Sequence, residues 1–294
     1  MTVSDSASTA AALAALPSLR DETLDPDQLA AYNLYLSAGA AGLRVGVADV
    51  RRNKFLLLED YAPQPATPLA EQLQALTAQH DLVGQPGWNQ VRLSVHNRHF
   101  TLLPAPLFRE GDEEAYLRQH HRADAAREVV RSYRHAGRDI VSVFAAGRDV
   151  AEWFGRLYPT GKLLHHTSAL LEGLVHQSDR GAPRRLYVSI SQQEVTLLVV
   201  RDKQPEFCNV FAFTTPEDLI YYIILVMQEM QLNPDQDPVL VWGDLLHDSA
   251  LFTILRKYIR NIRFGNRPYD LGYSYRLNDV FEYRYFDLFS LHLC

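Results

Sequence analysis

Three sets of residues in this chain have types that could do chemistry, and each misses the spacing that the chemistry needs. Gly155 to Lys162 carries the glycines and lysine of a phosphate-cradling loop. Five residues separate Gly155 from Gly161 where such a loop has four, and Leu163 stands where a Ser or Thr would hold Mg²⁺. Pro159-Thr160-Gly161 reads instead as the stop of the preceding helix. Histidine recurs in close pairs, His96 with His99, His120 with His121 and His165 with His166. An odd separation puts His96 and His99 on opposite faces of an extended segment, and neighbours on a helix point about 100° apart. No acidic or cysteine partner lies at ligand spacing, so no metal is expected. Ser189 and Ser191 sit on a strand and its turn without an identifiable base. With no Gly-x-Ser-x-Gly elbow and no His-Glu-x-x-His helix, no catalytic residue is expected either.

Bulk properties narrow the classes further. The 294 residues are 47% hydrophobic and 22% charged, the range of a chain with a sizeable core. A formal charge of -6 argues against gripping phosphate backbones. The basic clusters Arg122 to Arg138 and Arg256 to Arg267 include Tyr133, Tyr258 and Phe264, a mixture compatible with RNA contact. Acidic residues interrupt or flank both, so they read as exposed helix faces and a nucleic-acid partner is not expected. Cys208 and Cys294 have no metal or disulfide spacing, which fits a reducing compartment and a cytoplasmic location. The alanine-rich run Ala10 to Leu16 lacks the basic stretch of a signal peptide and reads as a frayed tail. The most apolar run, Leu219 to Met227, is about half the length that crosses a bilayer, so no membrane span is expected.

The elements that would position any site are clearest in the C-terminal half. Leu186 to Ile190, Glu194 to Val200 and Glu206 to Phe213 read as a three-stranded antiparallel meander with turns at Ser191-Gln192-Gln193 and Arg201 to Gln204. Thr215-Pro216-Glu217-Asp218 then opens a buried helix. Val239 to Trp242 is a buried strand, Asp248 is expected to cap a helix through Arg260, and Ile262 to Phe264 is a last short strand. The N-terminal half offers a fainter copy. Leu43 to Asp49 and Phe55 to Tyr61 form a hairpin through Arg51-Arg52-Asn53, Thr67-Pro68 repeats the helix start, and Val91 to Val95 is the strand that follows. The interval from Thr67 to Val91 equals that from Thr215 to Val239, and matched order with matched spacing points to duplication. Between the copies, strands are expected at His99 to Leu103, Val129 to His135 and Asp139 to Phe144, and helices at Glu113 to His121, Asp149 to Leu157 and Ser168 to Val175. The tyrosines from Tyr269 to Tyr285 read as edge strands packed on the body of the fold or as a partner surface.

Meander, helix, strand, helix and strand, present twice, resembles the ground plan of the actin, sugar-kinase and chaperone ATPase superfamily, an α/β fold of two ribonuclease H-like halves, each a mixed sheet with helices. More closely, Phe211 to Tyr222, Val241-Trp-Gly-Asp244 with Lys257-Tyr-Ile259, Phe100 to Pro104 and the closing Asp287 to Cys294 resemble an uncharacterised bacterial family, domain of unknown function 3822. The resemblance implies a tail over 1–30, a first half over 31–178 with inserted strands and helices, and a second half over 184–294. It also implies a nucleotide cleft between the halves, whose residues here would be Asp49, Ser189, Ser191, Gly243 and Asp244. Against the superfamily's Asp-x-Gly-Thr/Ser turn, Val45 to Arg52 has Ala48 at the acidic position, with Asp49 one step late and no glycine after it. Against Asp-x-Gly-Gly-Gly-Thr, Val188 to Gln193 has lost both the acid and the glycines. The paired glycines at adenosine are reduced to Gly243 followed by Asp244. The expectation is therefore a non-catalytic actin-like scaffold without ATP or Mg²⁺, holding a protein or peptide in the cleft or at a sheet edge, as the cytoplasmic actin-like components of pilus and secretion assemblies do in plan. The alternative is a divergent ATPase or kinase in which Asp49 or Asp244 replaces the missing acids.

Overall fold

A computed structural model of the chain describes residues 15–294, so most of the alanine-rich run lies outside the described residues. From Ala15 on, the stretch expected to be a tail has structure. Ala15–Arg20 (β1) is a strand, and Pro26–Ala31 is a 3₁₀ turn whose Asp25 side chain accepts from the Asp27 backbone N–H. Tyr32–Gly39 (β2), Gly42–Asp49 (β3) and Lys54–Tyr61 (β4) form an antiparallel meander. Leu69–Gln79 (α1) leads to Gln90–Val95 (β5), which runs parallel to β2. An insert follows, made of Phe100–Pro104 (β6), Glu113–Leu117 (α2), Glu128–Arg134 (β7), Ile140–Gly147 (β8) and Arg148–Leu157 (α3). Lys162–His165 (β9), missed in the sequence, returns to the first sheet beside β5 and runs straight into His166–Gln177 (α4).

The second half is Arg185–Ser191 (β10), Glu194–Arg201 (β11), Gln204–Ala212 (β12), Pro216–Glu229 (α5), Val239–Gly243 (β13), Ala250–Tyr258 (α6) and Ile262–Phe264 (β14). Its sheet order is β12-β11-β10-β13-β14, with β13 and β14 parallel to β10 and the meander antiparallel. In the first sheet the run β4-β3-β2-β5-β9 has the same order and the same directions. The meander of the first half therefore begins at Tyr32, one strand earlier than the sequence pattern suggested. β2 is buried on both faces, and such a strand loses the period-two alternation by which strands are read.

Helix start signals fared unevenly. Thr215 and Asp218 form a full capping box on α5, as Thr-Pro predicts, but Ser249 and not Asp248 caps α6. In the tyrosine-rich tail only Gly272–Tyr273 (β15) is a strand, pairing with the start of β4, while β1 pairs with the rest of that edge. The chain closes with Phe286–Ser290 (α7) and a 3₁₀ turn at Leu291–Leu293. Arg267, grouped with a basic helix face by sequence, is buried and donates to the carbonyls of Leu277 and Val280.

Each sheet carries helices on both faces. Leu34, Leu36, Val45 and Val47 share a core with Leu73 of α1 and Phe154 of α3. Tyr35, Phe55 and Leu58, on the opposite face, pack against Leu288, Phe289 and Leu291. In the second sheet Val188, Leu197 and Val241 share a core with Leu219 and Ile223 of α5 and Leu255 of α6, while Tyr187, Leu198 and Trp242 face Leu170, Leu171 and Leu174 of α4. Helices α4 and α7 thus lie between the sheets. Gly173 lets them touch, because a Cβ there would fall 2.1 Å from Ser290 Oγ. The insert sheet, ordered β6-β8-β7, is tied to α4 by a buried network. His135 contacts Glu172 at 2.7 Å and Ser142 at 2.7 Å, and Arg138 Nη2 meets the other Glu172 oxygen at 2.9 Å.

Candidate functional site

Strands β2, β5, β10 and β13 all end on one side of the molecule, at Gly39, Val95, Ser191 and Gly243. Open α/β sheets bind ligands outside such strand ends, so the ground between the two sheets there is the natural cleft. Its centre is occupied by side chains. Arg44 rises from β3, buried, and its guanidinium meets Asp60 of β4 at 3.6 Å, Asp244 after β13 at 3.2 Å and Asp287 of α7 at 3.7 Å. Arg284 reaches Asp244 at 3.0 Å and Asp60 at 3.9 Å. Both guanidiniums lie over the Tyr285 ring, 5.1 and 4.8 Å from its centre, and the Tyr285 hydroxyl donates to Asp60 at 2.9 Å. Tyr285 is held at φ 58°, a left-handed conformation costly for a non-glycine residue.

Electrostatics follow from this packing. Burial works against the charge of Arg44, yet Asp287, Asp244 and Asp60 together hold its pKa above the ordinary arginine value. For Asp287, burial is outweighed by a hydrogen bond from His96 and the charge of Arg44, and the carboxyl is held well below the usual range. In Asp60 burial wins over Arg44 and Tyr285, and its pKa is raised. His96 Nε2 lies 3.1 Å from Asp287 and 2.9 Å from Ser37 Oγ, and its ring stacks on His166 at 4.4 Å. Burial, reinforced by His96, pushes His165 down to about 3 and His166 well below the ordinary histidine value.

The space left between His96, His166, Ser189, Ser191, Thr196 and Asp287 is about 20 Å³, room for about one water molecule. Beside the same arginines a second space of about 350 Å³ is lined by Ala41, Arg44, Asp60, Asp244, Leu246 and Arg284, at the lower end of the roughly 300–1,000 Å³ of small-molecule sites. Three carboxylates that might have held a metal are matched to two arginines. The end of β2, Ser37-Ala38-Gly39, has a serine at the acidic position, and the matching end of β10 has Ser189. Neither offers a carboxylate.

Of the five residues expected at the cleft, four are there. Ser189, Ser191, Gly243 and Asp244 line the small space. Gly243 has φ 105°, and a Cβ on it would fall 1.9 Å from the Ile190 carbonyl, so the close join of β10 and β13 demands glycine. Asp49 is the exception. It ends β3 at the far side of the sheet, where its Oδ1 accepts from the N–H groups of Arg51 and Arg52. The expectation failed because the missed strand β2 moved the phosphate-type turn from Arg51–Asn53 to Gly39–Gly42. Arg44, Asp60, His96, Arg284 and Asp287 were not singled out for the cleft. One signal was available: Arg44 stands alone in the apolar run Leu43 to Ala48, and a lone charge in a buried strand requires a partner.

Two further features lie outside the cleft. A groove of about 520 Å³ separates β6 from β12, lined by Thr101, Leu102 and Leu103 on one side and Phe207, Cys208 and Asn209 on the other. Both strands are the outermost of their sheets. On the insert, His99 and His121 meet Glu128, although the sequence placed no acidic partner near either histidine.

Among the described residues no helix is long and apolar enough to cross a membrane. No curated protein matches the chain in sequence. In structure it is similar to a Bacteroides thetaiotaomicron protein with actin-like ATPase fold and unknown function, with a TM-score of 0.80 at 19% identity over 92% of this chain and 99% of that one. It is also similar to a chain of the PilM-PilN type IV pilus biogenesis complex, with a TM-score of 0.54 at 13% identity over 89% and 97% of the two chains. At such identities the likeness is one of fold, and the fold is the actin-like one anticipated from the strand pattern. Residues 21–262 match the family model described as protein of unknown function (DUF3822), and the chain belongs to that family.

Proposed function

We propose that the protein is a non-catalytic actin-fold scaffold that holds an extended segment of another protein in the groove between β6 and β12. The observation that carries this reading is the pairing of an open groove of about 520 Å³ with two outermost strands along its sides. Outermost strands present backbone donors and acceptors to an incoming strand, and Leu102, Leu103 and Phe207 in the mixed lining offer apolar contacts to its alternate side chains. The pairing of charges at the centre of the cleft supports the same reading from the other direction. A nucleotide would need the Arg44–Asp244 and Arg284–Asp244 pairs to part, and no carboxylate there is left without an arginine or histidine partner. A neighbour similar in fold comes from a complex of PilM with PilN, so a protein partner suits this fold. We further infer that the two halves, over 31–178 and 184–294, arose by duplication, because their five-strand runs share order and direction.

The test places a photo-crosslinking amino acid at Thr101, at Asn209 and, as a control, at the exposed Tyr221 of α5. One adduct shared by positions 101 and 209 and absent at 221 supports the groove. Adducts that differ between the two walls, or none, overturn it. A thermal shift with ATP and Mg²⁺ adds an independent arm. A nucleotide at 100 times its dissociation constant would stabilise the fold by about 2.7 kcal/mol, and a shift of that size followed by phosphate release would end the non-catalytic reading.

A further inference from the structure

We propose that His99, His121 and Glu128 form a binding site for a divalent transition-metal ion, zinc by its ligand set, on the insert. The three donors come from separate segments, and their ligand atoms all lie within 4.8 Å of one another. His121 Nε2 is 2.9 and 3.1 Å from the two Glu128 oxygens, and His99 Nδ1 is 3.5 Å from Oε1. Donors at 2.0–2.2 Å from a tetrahedral zinc lie about 3.3 Å apart, so these separations bracket the required one. Two imidazoles and a carboxylate are a set that zinc accepts with a fourth position open to solvent. The partial exposure of the three side chains, 39%, 20% and 21%, leaves that position accessible.

Each ligand is held by its own backbone. The Asn97 side chain accepts from the His99 N–H and donates to the Ala145 carbonyl, fixing the turn into β6. The His121 N–H donates to the Leu117 carbonyl at the end of α2. Glu128 opens β7 opposite Gly147, and the Asp124 N–H donates to its Oε2. The two imidazoles are stacked, with centres 3.5 Å apart and planes 4° from parallel. A neutral imidazole carries its nitrogen lone pair in the plane of the ring. Parallel rings cannot both aim that lone pair at one ion. Coordination therefore requires one imidazole to swing about its Cβ–Cγ bond, a torsion with a broad, shallow well.

A rival arrangement exists in which His176 and His292 both reach Asp270, at 3.4 and 2.9 Å. The experiment separates the two. Untagged full chain, stripped with a chelator, is titrated with Co²⁺ and then with Zn²⁺, following visible absorption and bound metal after gel filtration. One ion per chain is expected, with the visible bands of four- or five-coordinate cobalt and no thiolate charge-transfer band. His121→Asn and Glu128→Gln are each expected to weaken uptake by about tenfold or more, since even outer-shell changes cost 10–100-fold, while His292→Asn leaves uptake intact. The proposal is overturned if the wild-type chain takes up no metal, if a thiolate band shows that Cys208 or Cys294 is the ligand, or if uptake follows His292. The wild-type cobalt spectrum needs no variant, so a variant that fails to fold does not protect the idea.

Discussion

Replacing Arg44 by methionine would test the physical account of the cleft most directly. The guanidinium holds three carboxylates at 3.2–3.7 Å, and at an effective dielectric near 20 each contact is about 4–5 kcal/mol of gross attraction. Removing the arginine also removes its own desolvation cost, several kcal/mol, so the loss is much smaller than the gross sum. What remains is Asp60, Asp244 and Asp287 facing one another with only Arg284 and His96 in support. Breaking a buried ion pair on one side typically costs about 3–5 kcal/mol, and that is the expected loss at pH 8. The sign of the pH dependence is fixed by Asp60, whose pKa is already raised by burial and must climb further without Arg44. A carboxylate raised in the folded state destabilises above its unfolded pKa, and the penalty is relieved as pH falls through the folded value. The deficit of Arg44→Met relative to wild type should therefore narrow by about 1–3 kcal/mol between pH 8 and pH 5. Urea unfolding at both pH values gives the answer, provided the slope m is unchanged. A loss below about 1 kcal/mol at pH 8, or a deficit that widens in acid, would refute the reasoning.

Two other outcomes follow from the same region. Gly243→Ala should prevent the native join of β10 and β13, because its Cβ would fall 1.9 Å from the Ile190 carbonyl at a φ of 105°. A loss above about 3 kcal/mol or insoluble expression is expected, and a soluble variant of near-wild-type stability would contradict the assigned backbone. His166 is buried and neutral, with a depressed pKa, while the unfolded chain takes up that proton below about pH 6.5. The stability it supports is present above pH 6.5 and is lost as pH falls. Wild type's advantage over His166→Gln should thus shrink by about 2 kcal/mol from pH 7 to pH 5, measured by denaturant midpoints; an advantage that grows in acid would count against the neutral ring.

What could be read in advance divides along physical lines. The C-terminal meander was legible because short polar turns interrupt runs of β-branched residues, and α5 because Thr215-Pro216 with Asp218 is a complete capping signal. β2 was not legible, since Leu34 to Ala38 is apolar on one face and covered on the other by Tyr35, Ser37 and α7, so burial on both sides erased the alternation. That single omission displaced Asp49 from the far turn into the cleft. Gly243 and Asp244 could be placed beside Ser189 and Ser191 because they follow a buried strand whose end is marked by glycine. Arg284 and Asp287 could not be placed, since the irregular stretch from Gly265 to Tyr285 carries no period that says where it returns. The His99–His121–Glu128 cluster was hidden for the same reason: its members meet only once β6, α2 and β7 are folded together.

The packing of α7 and the residues after it has a consequence for the order in which the protein is made. One face of the first sheet, with Tyr35, Phe55 and Leu58, is covered by Leu288, Phe289, Leu291 and Cys294, and Arg92 of β5 donates to the Leu291 carbonyl. On the ribosome these covering residues emerge last of the described chain. The sheet of the first half must wait with an oily face uncovered until Leu288 to Cys294 have been made. Chains generally fold domain by domain as they are made; here a sheet from early in the described chain is covered by a helix from late in it. A messenger truncated anywhere before Phe286 would release a chain whose first half has no lid, and such nascent products would depend on holding chaperones for as long as they persist.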